Sequence, residues 1–244
     1  MNSNKSRIGT ILLLLAVVAL LAIAVMMCGA RFGLWEPVVG FGMVRTYMNP
    51  IGYAVTGLSI LGFIYLVVCG KEGVLKAIIA SFIGLGLLTP MILSFVNPPV
   101  HAPAIHDITT NTTNPPLFLV LDETRPGARN TLEYGGPDIA AQQKKTYPDV
   151  APIQSKLAAS DAFTEALRVG QAMGWEIVAQ DKEALRFEAT ARTPVYQFAD
   201  DVVVVVTAEG AASRVDIRSV SRIGRGDRGA NAARIMDFIG RFAK

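Results

Sequence analysis

A chain of 244 residues that is 51% hydrophobic, 18% charged and formally +3 at neutral pH carries too little net positive charge to imply nucleic acid as a partner. Its long apolar runs crowd into the first hundred positions, which separates a membrane part from a polar part. The two cysteines, Cys28 and Cys69, close apolar runs, so the polar part has neither thiols nor disulfides.

Ile8 to Cys28 and Ile51 to Cys69 are free of charge, and Val74 to Val96 holds only Lys76. Each run approaches or exceeds the roughly 20 residues that cross a bilayer as a helix. The spacing predicts a three-helix transmembrane region over 1–96, with spans at 8–28, 51–69 and 74–96. Lys5 and Arg7 ahead of the first run, with Gly29 and Ala30 behind it, also fit a secretory signal. The run is longer than the roughly 7–15 residues of a signal core, so an uncleaved anchor is expected, with cleavage as the alternative. Met27 before Cys28 is too bulky for a lipoprotein acylation site.

Lys5, Arg7, Lys71 and Lys76 flank one side of these spans, and Arg31 and Arg45 the other. Basic residues in short segments stay preferentially inside, which puts everything after Val96 outside, in the periplasm if the cell is bacterial. Residues 31–49, with Trp35, Pro37 and Tyr47, read as an interfacial loop. Gly52, Gly57, Gly62, Gly84 and Gly86 suit close helix packing. The spans carry no ionisable residue at mid-membrane, which argues against an ion path through these helices.

Residues 97–116 (NPPVHAPAIHDITTNTTNPP) read as a Pro-rich extended linker. His101, His106 and Asp107 lie there without a matching ligand set elsewhere, so no metal site is expected. The Asn111-Thr112-Thr113 triplet fits glycosylation only in a eukaryotic secretory pathway. Residues 117–244 then form the exported domain. Leu117 to Leu121 suggests a short strand, and 122–152 an ordered wrapping segment. Ser160 or Asp161 is placed to cap a helix whose face is Phe163, Ala166, Leu167, Gly170 and Met173, ended by Gly174. Trp175, Ile177 and Ala179 alternate, Asp181-Lys182 turns, and Leu185, Phe187 and Ala189 alternate back. Asp200-Asp201 opens the valine run Val202 to Val206, a strand covered on both faces. Glu209-Gly210 turns the chain into a strand with Val215 and Ile217 inward and Arg214, Asp216 and Arg218 on a wet face. A closing helix starts near Ala230. The fold class is α+β, three transmembrane helices followed by an antiparallel sheet of about four strands packed by two helices.

Gly224 to Gly229 spells GxGxxG between a strand and a helix. A dinucleotide fold would need a further strand with an acidic residue about 20 positions on, and the sequence stops at Lys244, so that reading is rejected. Backbone N–H groups at a helix start attract anions, with Arg222, Arg225, Arg228 and Arg234 available to assist. The competing reading pairs these arginines with Asp216, Asp227 and Asp237. After Pro116 there is neither Cys nor His, leaving Asp227 beside Ser221 as the one nucleophile–base arrangement to weigh. Asp200 and Asp201 project to opposite faces of a strand and read as solvated or structural.

The segments IHDITTNTTNPP at 105–116, YPDVAPI at 147–153, AMGWEIVAQD at 172–181, DDVVVVV at 200–206 and DIRSVSRIGRGDRGANAARI at 216–235 together resemble the bacterial domain-of-unknown-function family 1499. The resemblance covers roughly 105–242 and implies domain identity and an envelope association, without a reaction. Ala191 and Gly226 depart from the Asp and Ser that members often carry. Three functions follow as expectations. In the first, the chain is a non-enzymatic module of the bacterial inner membrane, needing no cofactor, that binds an anionic ligand, lipid head group or envelope protein. Its ligand-binding residues would be Ser219, Ser221, Arg222, Asp227, Asn231 and Arg234. The second is an envelope hydrolase using Asp227 and Ser221. In the third, Arg222, Asp227 and Arg234 are architecture tying the last strand to the last helix.

Overall fold

The computed structural model describes residues 5–98 and 102–242, and His101 falls outside them. The chain divides into two compact units, Met1–Val100 and His101–Lys244. In the first, α1 (Ile8–Cys28), α2 (Pro37–Val68) and α3 (Val74–Val96) are each long and apolar enough to cross a membrane. The expected interfacial loop at 31–49 shrinks to a short turn, because Pro37 starts α2 well before Ile51. Proline suits the first helical turn, where its missing N–H would have no partner. Small residues set the packing distances. A Cβ at Gly84 would lie 2.4 Å from Thr56 Oγ1, and one at Gly9 2.2 Å from the Gly73 carbonyl oxygen. Gly52 and Gly62 also meet neighbouring helices, whereas Gly57 and Gly86 face open space.

The second unit is a six-stranded antiparallel sheet with helices. β1 (Asp107–Thr109), β2 (Ile153–Ser155), β3 (Glu176–Asp181), β4 (Arg186–Arg192), β5 (Ala199–Glu209) and β6 (Ala212–Ser221) run in the order β1-β6-β5-β4-β3, with β2 also on β6. The predicted four-strand meander is β3 to β6. Asp181 Oδ1 accepts the N–H groups of Glu183 and Ala184 at 2.9 Å, closing the first hairpin, and Gly210 at φ 65° turns the last one. Val202, Val204 and Val206 share one face with Val215 and Ile217. Against that face pack Phe163, Ala166 and Val169 of α5 (Ala159–Ala172) and Ile235, Phe238 and Phe242 of α6 (Ala230–Phe242). Trp175 stacks on Phe238 at 5.3 Å.

Four expectations are corrected. Residues 97–116 are not a free linker: β1 pairs with β6, and Ile105, Asp107, Ile108 and Thr109 are buried. Leu117 to Leu121 is not a strand, because the N–H groups of Leu119, Val120 and Leu121 are all donated to the Glu188 carboxylate instead of a ladder. The wrapping segment contains a third helix, α4 (Gly136–Thr146), whose Gln143 bonds both the N–H and the carbonyl of Thr109 and so acts as an extra strand edge. Finally, α5 begins at Ala159 with Ala158 in the cap position, ahead of both expected caps, and neither Ser160 nor Asp161 caps it.

Ile108 is fully buried under α6. Truncating it to Ala should cost about 2–5 kcal/mol, as for other buried aliphatic residues. Denaturant unfolding followed through Trp175 fluorescence in a Trp35→Phe background reads this directly; a free linker would show no change.

Candidate functional site

Strand alternation sends the side chains of β6 to two faces, and each face carries a polar cluster. On the helix face, Ser219 lies opposite Val202 and Ser221 opposite Asp200. The first turn of α6 lowers Asn231 and, three residues on, Arg234 onto this pair. Ser219 Oγ donates to Asn231 Oδ1 at 2.7 Å. The Asn231 amide donates to Ser221 Oγ and to the His106 carbonyl, both at 2.9 Å. Arg234 donates to Ser219 Oγ at 3.0 Å, to Asn231 Oδ1 and to the Asp200 carboxylate. Asn231 and Ser219 are fully buried, so every bond here replaces one to water.

Asp227 stands at the start of α6. Its two carboxylate oxygens accept the N–H groups of Gly229 and Asn231 at 2.8 Å, which satisfies donors that a helix start leaves open. The intervening turn needs φ 55° at Arg228 and 86° at Gly229, conformations that glycine adopts freely and arginine rarely. A Cβ at Gly226 would come within 3.0 Å of Ala104 Cα, so a residue larger than glycine would crowd the backbone there. Ala191 pairs with Asp200 across the β4–β5 ladder.

The opposite face, expected to be wet, is buried at Asp216 and Arg218, and Arg214 stays partly exposed. Arg218, with no exposed surface, places Nε and Nη2 on the two oxygens of Asp107 at 3.0 and 2.7 Å. It also donates to the carbonyls of Pro116 and Leu132, between the rings of Phe118 and Tyr134, each 5.4 Å from the guanidinium. Arg222 grips Asp201 through bonds of 2.7–3.1 Å and donates to Thr190 Oγ1 and the Pro126 carbonyl. Arg125 approaches the same carboxylate at 3.3 Å and donates to the Asn130 carbonyl. Its Nε and Nη1 are buried without a hydrogen-bond acceptor. Burial pulls the Arg125 pKa down, with Asp201 opposing. Burial pushes the Asp107 carboxyl up, and the Arg218 bonds and charge draw it partly back.

The six candidates therefore do not form one site. Ser219, Ser221, Asn231 and Arg234 meet on the helix face with Asp227 at its edge, while Arg222 lies on the other face. No hydrogen bond joins Asp227 to Ser221 among the described residues. Asp200 and Asp201 do point to opposite faces, but both are buried and ion-paired rather than solvated. Arg125, Glu188 and Thr190 carry no expectation from the sequence, and Asp107 only that of a metal ligand without a matching set. The one local signal was a charge inside an alternating strand, Glu188 between Phe187 and Ala189. Among the described residues no group of three His, Cys, Asp or Glu is placed to hold a metal. Two shallow grooves border these clusters, one of about 500 Å³ beside Tyr134 and Pro137 and one of about 310 Å³ between Tyr147 and Met236.

Burial, and then the nearby Asp107 charge, push the Tyr134 phenol up to about 12 from 10.0. Between these values the unfolded chain loses its phenol proton while the folded one keeps it, so stability falls as pH rises through that window. A spectrophotometric titration should show one phenol ionising last, and Tyr134→Phe should remove it and flatten the alkaline loss of stability.

A family model described as "Protein of unknown function (DUF1499)" matches residues 107–242. No curated protein matches the chain. The match begins at Asp107, the ion-pair partner of Arg218, and ends at Phe242, the last core residue of α6, so it takes in both polar clusters and the whole sheet. The chain belongs to the DUF1499 family.

Proposed function

We propose that this is a membrane-anchored envelope protein whose C-terminal domain is a non-catalytic interaction module, with the polar residues of its family signature serving as internal frame. One observation carries the reading: Ser219, Ser221, Arg222, Asp227, Asn231 and Arg234 spend most of their polar groups on one another, on Asp200 and Asp201, and on the backbone. A binding residue keeps a donor for its ligand, and a nucleophile needs a base within reach. Here Ser221 faces the Asn231 amide, and both Asp227 oxygens hold α6. A partner then meets the outer surface of the domain rather than the Gly224 turn. Three apolar helices with basic residues at Lys5, Arg7, Lys71 and Lys76 support an N-terminus inside and the domain on the far side of a bacterial inner membrane.

Two measurements test this. Arg234→Ala leaves the buried Asp200 carboxylate without its ion-pair partner and should destabilise the domain by about 3–5 kcal/mol, whereas Arg222→Ala, which leaves Asp201 the Arg125 guanidinium at 3.3 Å and the Thr190 hydroxyl, should cost less. Unchanged stability with loss of stabilisation by inorganic phosphate would instead return these arginines to an anion site. Protease added outside intact spheroplasts should degrade the C-terminal domain, and protection until lysis would reverse the orientation.

A further inference from the structure

In the C-terminal unit the exposed large apolar residues Leu157, Val178, Val195 and Met236 stand as single positions at 39–43% exposure. Leu117, Leu119 and Val120 differ, lying together at 64, 68 and 57% in the uncharged stretch Pro115 to Leu121. Scattered exposed apolar side chains are ordinary, whereas a cluster marks a contact surface.

This cluster is held rigidly from beneath. The carboxylate of Glu188, 1% exposed, accepts the N–H groups of Leu119, Val120 and Leu121 at 2.6–3.2 Å. Arg186 donates to the Leu117 carbonyl and to Glu188, and the Phe118 ring lies against Arg218. The loop thus turns its backbone inward onto charges and its aliphatic side chains outward. Fixing it in the fold removes the ordering cost that a mobile loop meets on binding.

We propose that Leu117, Leu119 and Val120 enter the boundary between head groups and acyl chains of the bilayer that α1–α3 span. The inference rests on reading those helices as membrane anchors. Residues 97–106 alone connect α3 to β1, and a chain of that length reaches at most about 35 Å. The domain is therefore tethered close to the bilayer, an apolar phase available to this loop. Each aliphatic side chain taken out of water favours the bound state in proportion to the apolar area it buries, and entry to a depth of about 5–10 Å suits side chains without charge.

The test uses the full chain in vesicles of equal parts phosphatidylethanolamine and phosphatidylglycerol. Cys28→Ser and Cys69→Ser clear the background, and an environment-sensitive fluorophore is attached at Leu119→Cys or, as a control, at Glu183→Cys. The label at 119 should emit to the blue of that at 183, be quenched by spin-labelled lipid and resist aqueous iodide. Adding Leu117→Asp and Val120→Asp should return it to water without moving the thermal midpoint, since both side chains are exposed and the Glu188 bonds use backbone donors. Vesicle flotation separates the failures. A chain that does not float overturns the anchoring reading and this inference with it. A floating chain whose 119 label is quenched by iodide like the control overturns the inference alone. Shielding from both quenchers overturns it in favour of a contact between copies of the chain.

Discussion

Arg218 sits without exposed surface on β6, the strand that pairs with β1, β2 and β5, and much of the C-terminal unit is arranged so that its charge is matched. A buried guanidinium costs least when it is paired and its donors are satisfied. The Arg218 side chain stands off the sheet, away from the carbonyls of the ladder. Arg218 takes both oxygens of Asp107, which brings β1 onto β6, and the carbonyls of Pro116 and Leu132, which belong to irregular chain. Arg222 repeats the pattern with Asp201 and the Pro126 carbonyl. A long segment without regular structure is unusual in a compact domain. Here two guanidiniums bond its carbonyls and hold it in place.

The helix face solves a different problem by related means. Asn231 is the point at which β6, the chain entering β1 and α6 are joined, through Ser219, Ser221, the His106 carbonyl and Asp227. Each of its side-chain polar atoms is used. A network satisfied to this degree fixes one arrangement of helix on strand, since any shift would leave buried groups unpaired. Polar residues recurring at fixed places in a family sequence can thus report how the fold closes rather than what it binds.

The three apolar helices, the β3–β4 hairpin, the valine strand and the closing helix were legible, because each depends on a period within one short segment. The polar face was not. Arg214, Asp216 and Arg218 alternate with Val215 and Ile217 in the pattern of a half-wet strand, and nothing within β6 shows that Asp107, far back in the sequence, will cover one of them. The Pro, Thr and Asn of residues 97–116 suggested a linker for the same reason. Thr109 and Thr110 are buried because their hydroxyls bond the Ile217 carbonyl, a partner invisible from composition. Of the candidate site, the residue types were legible, but their division between two faces was visible only through the register with β5.

The charged layer also explains where the covering segment can put its own side chains. Residues 117–121 lie over Glu188, Arg186 and Arg218, and those groups call for backbone N–H and carbonyl partners, which the segment supplies by turning its main chain inward. With the main chain facing charge, Leu117, Leu119 and Val120 have no core to fill. Polar residues would hold the same backbone bonds at no cost in exposed apolar area. Folding therefore does not account for aliphatic residues at these positions, and the requirement for them lies outside the domain, in whatever those three side chains touch.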